Sequence, residues 1–403
     1  MIELQDIGPP GPPTAVYVHV PFCRDRCTYC AFPTVADDPA AHAPLVEALI
    51  REAEPWRQRL PPLTSLYLGG GTPGLLTPDE LRRLIDALPA RDRGAELTLE
   101  VNPANVTAES IASWSDLGIN RVSVGIQTFR DDILGALARR HDAAAARDAL
   151  ARLQQDWPQD WTADLLVGWA GQTPADADDD VRELLRFEPP HVSVYGLTVE
   201  PYTSLARQQA AGRVVTAPPD SLPDLDDAWC RRLEAAGLER YEVSNFARPG
   251  RRSRHNQAYW ANAAYVGFGP GAASSVHPLR WSHERDPARY QRLVARGLSP
   301  RAHVERLSPE ARLLESLAIG LRTRDGLALA ELDRRFGAGW RALVTQAAEA
   351  CLPPDSLQED AERLFLAPHD LVRVDRITTA LAAHISGSAD NARHDCSAFE
   401  GIL

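Results

Sequence analysis

Three cysteines fall within eight residues, in the spacing Cys23-x3-Cys27-x2-Cys30. Soft thiolates on one tight loop suit zinc or an iron–sulfur cluster. A closed zinc site needs a fourth ligand close by, but Ala31, Phe32 and Pro33 supply none and His19 lies in a strand. On a four-iron cluster, three thiolates leave one iron without a protein ligand, an open position for a substrate. A second constellation is Gly69-Gly70-Gly71-Thr72-Pro73. Glycine lets a ligand come close to the backbone, and bare amides and carbonyls hold the polar end of an amino acid. Glu100, within LTLEVNP, stands at a strand end, where a carboxylate accepts hydrogen bonds from hydroxyls. Gly267-Phe268-Gly269-Pro270-Gly271 lacks the spacing and the strand-to-helix context of a dinucleotide site. Cys230, Cys351 and Cys396 are solitary and carry no assigned role.

These residues need a scaffold, and the chain alternates to build one. Apolar runs at 16–20, 65–69, 96–101, 121–127, 162–168 and 191–197 read as strands. Stretches of helical periodicity separate them, including PLVEALIREAEPWRQRL and TPDELRRLIDAL, the latter opened by Thr77 with Glu80 in a capping-box pattern. Six strands alternating with helices predict an α/β fold of βα units around a parallel sheet, with ligands gathered at the carboxyl ends of the strands. Cys23–Cys30, Gly69–Thr72, Glu100 with Asn102, and Gln127 all occupy such ends. The expected organisation is a flexible lead-in (1–14), a core barrel (15–205), an extension (206–300), a mostly helical C-terminal domain (301–385) with a strand pair near LFLAP and LVRV, and a loose tail (386–403).

Composition narrows the chemistry further. The 403 residues include 43 basic ones, all arginine. Without lysine there is no Schiff-base nucleophile, no pyridoxal-phosphate anchor and no Walker A lysine. The net charge of −12 disfavours nucleic acid and polybasic membrane contacts as partners. The sequence carries no apolar run of membrane-span length and no signal-peptide pattern, so a cytoplasmic protein is expected.

The cysteine loop, with Tyr17-Val18-His19-Val20-Pro21-Phe22 before it, resembles the radical S-adenosylmethionine superfamily. Within it, the chain is similar to the branch of oxygen-independent coproporphyrinogen III oxidases and HemW heme chaperones, from about Tyr17 to Val374. The resemblance implies a partial (β/α)6 TIM-like barrel with a smaller helical domain. It implies that Cys23, Cys27 and Cys30 hold a [4Fe–4S] cluster whose open iron chelates the amino and carboxylate groups of S-adenosylmethionine. In that family reduction can cleave the sulfonium to a 5′-deoxyadenosyl radical. Tyr17, Gly70, Gly71, Thr72, Glu100, Gln127, Arg139 and Asp164 match cofactor-contacting positions of the family.

Three functions share this scaffold: porphyrin oxidation, heme chaperoning and radical methyl transfer in natural-product pathways. The oxidases resemble CxxxCxxCxC, whereas Phe32 holds the last position here. Residues 254–260 contain the HNxxYW motif of the HemW group, so His255, Tyr259 and Trp260 are expected at a heme site, His255 as contact or support. Ala31, Ala273, Tyr202 and Trp169-Ala170 depart from the HemW pattern near where the heme would lie. The expected function is a heme chaperone that binds S-adenosylmethionine, passes heme to partner proteins and has no oxidase activity. A radical methyltransferase of a natural-product pathway is the first alternative and an oxygen-independent coproporphyrinogen III oxidase the second.

Overall fold

The structure, a computed structural model, describes residues 11–218 and 221–387. Cys396, most of the expected lead-in and nearly all of the expected tail lie outside them. Six parallel strands run in sequence order: β1 (Ala15–Val20), β2 (Leu63–Gly70), β3 (Arg91–Val101), β4 (Arg121–Gln127), β5 (Asp160–Val167) and β6 (His191–Gly196). Each of the six expected strands forms, lengthened by one to five residues at five of the twelve ends and shortened by one residue at Gly168 and at Leu197. The sheet continues on both sides. Beyond β6 lie the short antiparallel strands β7 (Glu239–Arg240) and β8 (Asn245–Ala247). Beyond β1, strand β9 (Tyr265–Phe268) adds in parallel, followed by the antiparallel strands β10 (Ala273–Val276), β11 (Leu279–His283) and β12 (Arg301–Arg306). The glycine-rich 265–271 segment is thus partly sheet.

Alternation along the strands separates two environments. Val16, Val18, Val20, Leu66, Leu68, Leu97 and Leu99 face the surrounding helices and belong to the main hydrophobic cluster. The opposite parity gives Tyr17, His19, Ser65, Tyr67, Glu96, Glu100, Arg121, Ser123 and Asp164, which turn into a polar lumen and contact one another there. Helix starts follow their caps. Thr77 and Glu80 form the expected reciprocal capping box at Pro78–Ala87. The first helix is Pro39–Ala53, earlier than the sequence pattern alone placed it, because Asp38 caps it and the Pro55 turn ends it.

A second hydrophobic cluster gathers Leu313, Leu317, Leu332, Phe336, Trp340, Val344 and Ile377. Its helices, Pro309–Gly320, Leu329–Phe336, Gly339–Cys351 and Val374–Ile385, pack with a sheet of Leu327–Ala328, Leu357–Glu359 and Arg363–Leu366. The LFLAP strand forms as expected, but its partners are 357–359 and 327–328. LVRV instead closes the 3-10 turn opened by Pro368 and begins the last helix. Among the described residues, no helix is long and apolar enough to cross a membrane.

Candidate functional site

The cysteine loop leaves β1 at the carboxyl-end mouth of the lumen and is pinned from several sides. Val35 N donates to Pro21 O (2.9 Å), Thr28 N to Leu137 O (3.1 Å) and Leu205 N to Thr28 O (2.7 Å). Cys23, Cys27 and Cys30 are free thiols, each partly exposed. Burial pushes the Cys23 thiol up to about 12, with the charge of Cys30 adding to the effect, and burial also raises Cys30. Arg139 Nη1 donates to Cys27 Sγ (3.4 Å), and Thr72 Oγ1 lies 4.0 Å from Cys23 Sγ. Such a set of crowded thiols beside a guanidinium gains from positively charged iron.

The second constellation meets the loop through the backbone. Gly71 N donates to Val20 O and Thr72 N to Phe22 O, both at 2.8 Å. A Cβ at Gly71 would lie 2.5 Å from Phe22 O and 2.8 Å from Pro21 C. Any side chain at Gly71 would therefore collide with the cysteine-loop backbone, which passes directly against it. The glycine that faces the lumen is Gly69, where a Cβ would meet Tyr67 Cε1 at 2.7 Å and Glu100 Oε1 and Tyr17 Cε2 at 3.0 Å. Gly70 sits at φ +109°, and a Cβ there would strike the His19 ring at 2.5 Å.

Glu100 accepts from Tyr67 OH (2.6 Å) and Gly70 N (3.0 Å), and burial raises its carboxyl. Asp164 accepts from Ser123 Oγ (3.0 Å) and is pushed up to about 7, by burial first and by the charge of Glu100 second. Tyr17 OH bonds His19 Nδ1 (3.0 Å), whose Nε2 donates to Pro33 O (2.9 Å). Gln127 ends β4 in a left-handed conformation, φ +69°, at a register shift beside Gly125. Arg139 Nη2 donates to Gly125 O (2.6 Å) and to Asn102 Oδ1 (2.8 Å), while Asn102 Nδ2 donates to Thr72 Oγ1 (2.9 Å). Asn102 and His19 join the constellation although the motifs assigned them no role. The β3-end position of Asn102 was the available signal.

The 254–260 helix lies apart from the mouth. His255 is buried, with Nδ1 on Ser65 Oγ (3.0 Å) and Nε2 on Tyr259 OH (3.1 Å). Its ring stacks on Tyr67 at 4.9 Å, and burial lowers it to about 4. Both ring nitrogens are engaged within the fold. Tyr259 packs edge-on against Tyr265 at 4.5 Å, and Trp260 is buried. Of the two roles open to His255, contact or support, this geometry favours support, with Tyr67 and Glu100 as what is supported.

Comparison with known proteins places this geometry. The radical SAM superfamily model matches residues 17–184, and the HemN C-terminal domain model matches 307–370. The chain is 35% identical over 401 residues to the heme chaperone HemW of Mycobacterium tuberculosis, covering 94% of this chain and 98% of that protein. This chain belongs to the HemW family. A HemW from Synechocystis is 34% identical over 331 residues, covering 79% of this chain and 80% of that protein. In fold, the chain is similar to coproporphyrinogen III oxidase (HemN) from Escherichia coli, with a TM-score of 0.79 at 18% identity and 95% coverage of both chains.

Membership of the radical SAM superfamily implies a [4Fe–4S] cluster and S-adenosylmethionine. The residues present fit both. Among the described residues no three side chains converge as ligands of a single metal ion. Thiolates of a multi-iron cluster bind separate irons and need no such convergence. The bare Gly69 surface, enclosed by Tyr17, Tyr67 and Glu100, is a cradle that any side chain would fill. When bound, the cluster supplies the electron that S-adenosylmethionine cleavage requires.

Proposed function

We propose that this HemW-family chain is a heme chaperone of the cytoplasm that binds heme, delivers it to partner proteins and does not oxidise coproporphyrinogen. Cys23, Cys27 and Cys30 hold the cluster in this reading. Tyr17, Gly69, Gly70, Thr72, Glu100, Gln127, Arg139 and Asp164 surround S-adenosylmethionine, with Gly71 fastening the two loops together. The 15–205 barrel carries the cofactors, 206–300 closes the lumen, and 301–385 is the accessory domain. The observation that carries the reading is the 35% identity to a heme chaperone across 94% of the chain. The strand-end placement of the cofactor residues supports it.

The test is anaerobic reconstitution followed by incubation with S-adenosylmethionine and dithionite, alone, with hemin and with coproporphyrinogen III. The expected result is a stable heme absorbance and no protoporphyrinogen. Absence of heme uptake together with S-adenosylhomocysteine formation on a heteroaromatic acceptor would transfer the chain to the methyltransferase reading.

A further inference from the structure

Among the described residues Tyr202 is the most exposed large hydrophobic, at 93%, and it holds a left-handed backbone, φ +65°. A bulky residue is strained there, where glycine is not. A surface aromatic on its own needs no explanation, but one kept on a strained backbone does. Its surroundings supply a second observation. Arg207 Nη1 donates to Tyr202 O (2.9 Å), and Arg207 with Ser204, Gln208 and Arg213 lines an open depression of about 360 Å³. Among the described residues neither Arg207 nor Arg213 has a carboxylate partner, whereas Arg130, Arg147 and Arg232 on the same molecule do.

The location ties this pair of features to the mouth of the lumen. Leu205 N bonds Thr28 O on the cysteine loop (2.7 Å), and Ala217 N bonds Gly168 O just past the end of β5 (3.1 Å). The 202–217 segment therefore spans from the cluster loop to the carboxyl end of the barrel. An exposed tyrosine on the same segment as two guanidiniums that have no carboxylate partner among the described residues suits a flat apolar ring that carries carboxylates.

We propose that Tyr202, Arg207 and Arg213 form a contact site for the propionate-bearing edge of heme, the phenol ring packing on the macrocycle and the guanidiniums pairing with its carboxylates. This rests on the heme-chaperone reading and locates its cargo at the 202–213 segment, away from the buried His255.

The experiment is hemin titration, followed by absorbance, of the reconstituted full chain and of Tyr202→Gly, Tyr202→Phe and Arg207→Gln/Arg213→Gln. The dimethyl ester of hemin serves as a second probe. Tyr202→Gly relieves the strained backbone, so it folds at least as well as wild type and isolates the ring. Its heme affinity falls roughly tenfold, and Tyr202→Phe restores it. The double arginine variant loses at least roughly tenfold for hemin and no longer distinguishes hemin from its diester. Iron content and S-adenosylmethionine affinity stay at wild-type values in all three. Wild-type hemin affinity in the variants, or equal affinity of wild type for acid and ester, overturns the site alone. Wild type that takes up no hemin overturns the chaperone reading and the site with it.

Discussion

Gly71→Ala tests whether the glycine run serves the ligand or the cysteine loop. The new Cβ would lie 2.5 Å from Phe22 O and 2.9 Å from Phe22 C, and real Cβ contacts essentially never fall below 3.0 Å. The neighbours are backbone atoms, so the 21–22 segment must move by about half an ångström. That motion strains Gly71 N to Val20 O and Thr72 N to Phe22 O, both 2.8 Å. Overpacking costs about 1–3 kcal/mol and each of the two weakened bonds about 0.5–1.5 kcal/mol, so the junction loses roughly 2–6 kcal/mol. Cys23 is the next residue along, which makes the cluster the first casualty. The expected outcome is reduced iron and sulfide per chain after anaerobic reconstitution, with S-adenosylmethionine affinity falling alongside. Gly69→Ala meets the side chains of Tyr67, Tyr17 and Glu100, so it keeps its iron and loses roughly tenfold or more in S-adenosylmethionine affinity by calorimetry. A Gly71→Ala protein with full iron and a selective loss of S-adenosylmethionine binding would refute the reasoning.

Single Cys23→Ala, Cys27→Ala or Cys30→Ala substitutions are expected to abolish the brown cluster absorbance, and a triple variant that keeps about four irons per chain counts against the assignment. His255→Ala strands Ser65 Oγ and Tyr259 OH and removes the ring stacked on Tyr67, so unfolding measurements should show a loss of about 2–5 kcal/mol. Unchanged stability would remove the supporting role. Glu242 is fully buried and pushed up to about 7 by burial. A raised carboxyl binds protons more tightly folded than unfolded, so wild-type stability falls as pH rises from about 4.5 to about 7 and then levels off. Glu242→Gln lacks that term, and Asn245 Oδ1, which has no partner among the described residues, can accept from the new amide after an amide flip. Denaturant unfolding at pH 5 and pH 8 should show the variant gaining on wild type by up to ~3 kcal/mol across the interval; a pH-independent difference contradicts the burial argument.

What the sequence disclosed was local. The cysteine spacing, the six strands and the Thr77 capping box depend on neighbours a few residues away. The job of each glycine in Gly69–Gly71 depends on how β1 and β2 align, since Val20 pairs with Gly70 in the parallel register, and no pattern within the run encodes that. His255 shows the same limit from the other side. The polar string RHNQAYW reads as part of a heme site, yet its partner Ser65 is 190 residues away and the lumen that receives it is itself polar. LVRV has strand composition, but Pro368 just before it sets up a turn.

The carboxylate of Glu96 gathers Ser253 Oγ (3.1 Å), Arg254 N (3.0 Å) and His255 N (3.0 Å), while Arg121 donates to Glu96, Asp160 and the carbonyl of Arg251. The floor of the lumen is thus sealed by a segment that follows the end of β6 by more than fifty residues. During synthesis at about 5–20 residues per second, all six βα units leave the ribosome several seconds before their plug. Through that interval Arg121, Glu96 and Asp160 have one another but lack the partners that the 251–255 segment supplies. Translational pausing near codon 200 would lengthen this window, and slow synthesis would expose it to proteases and off-pathway pairing.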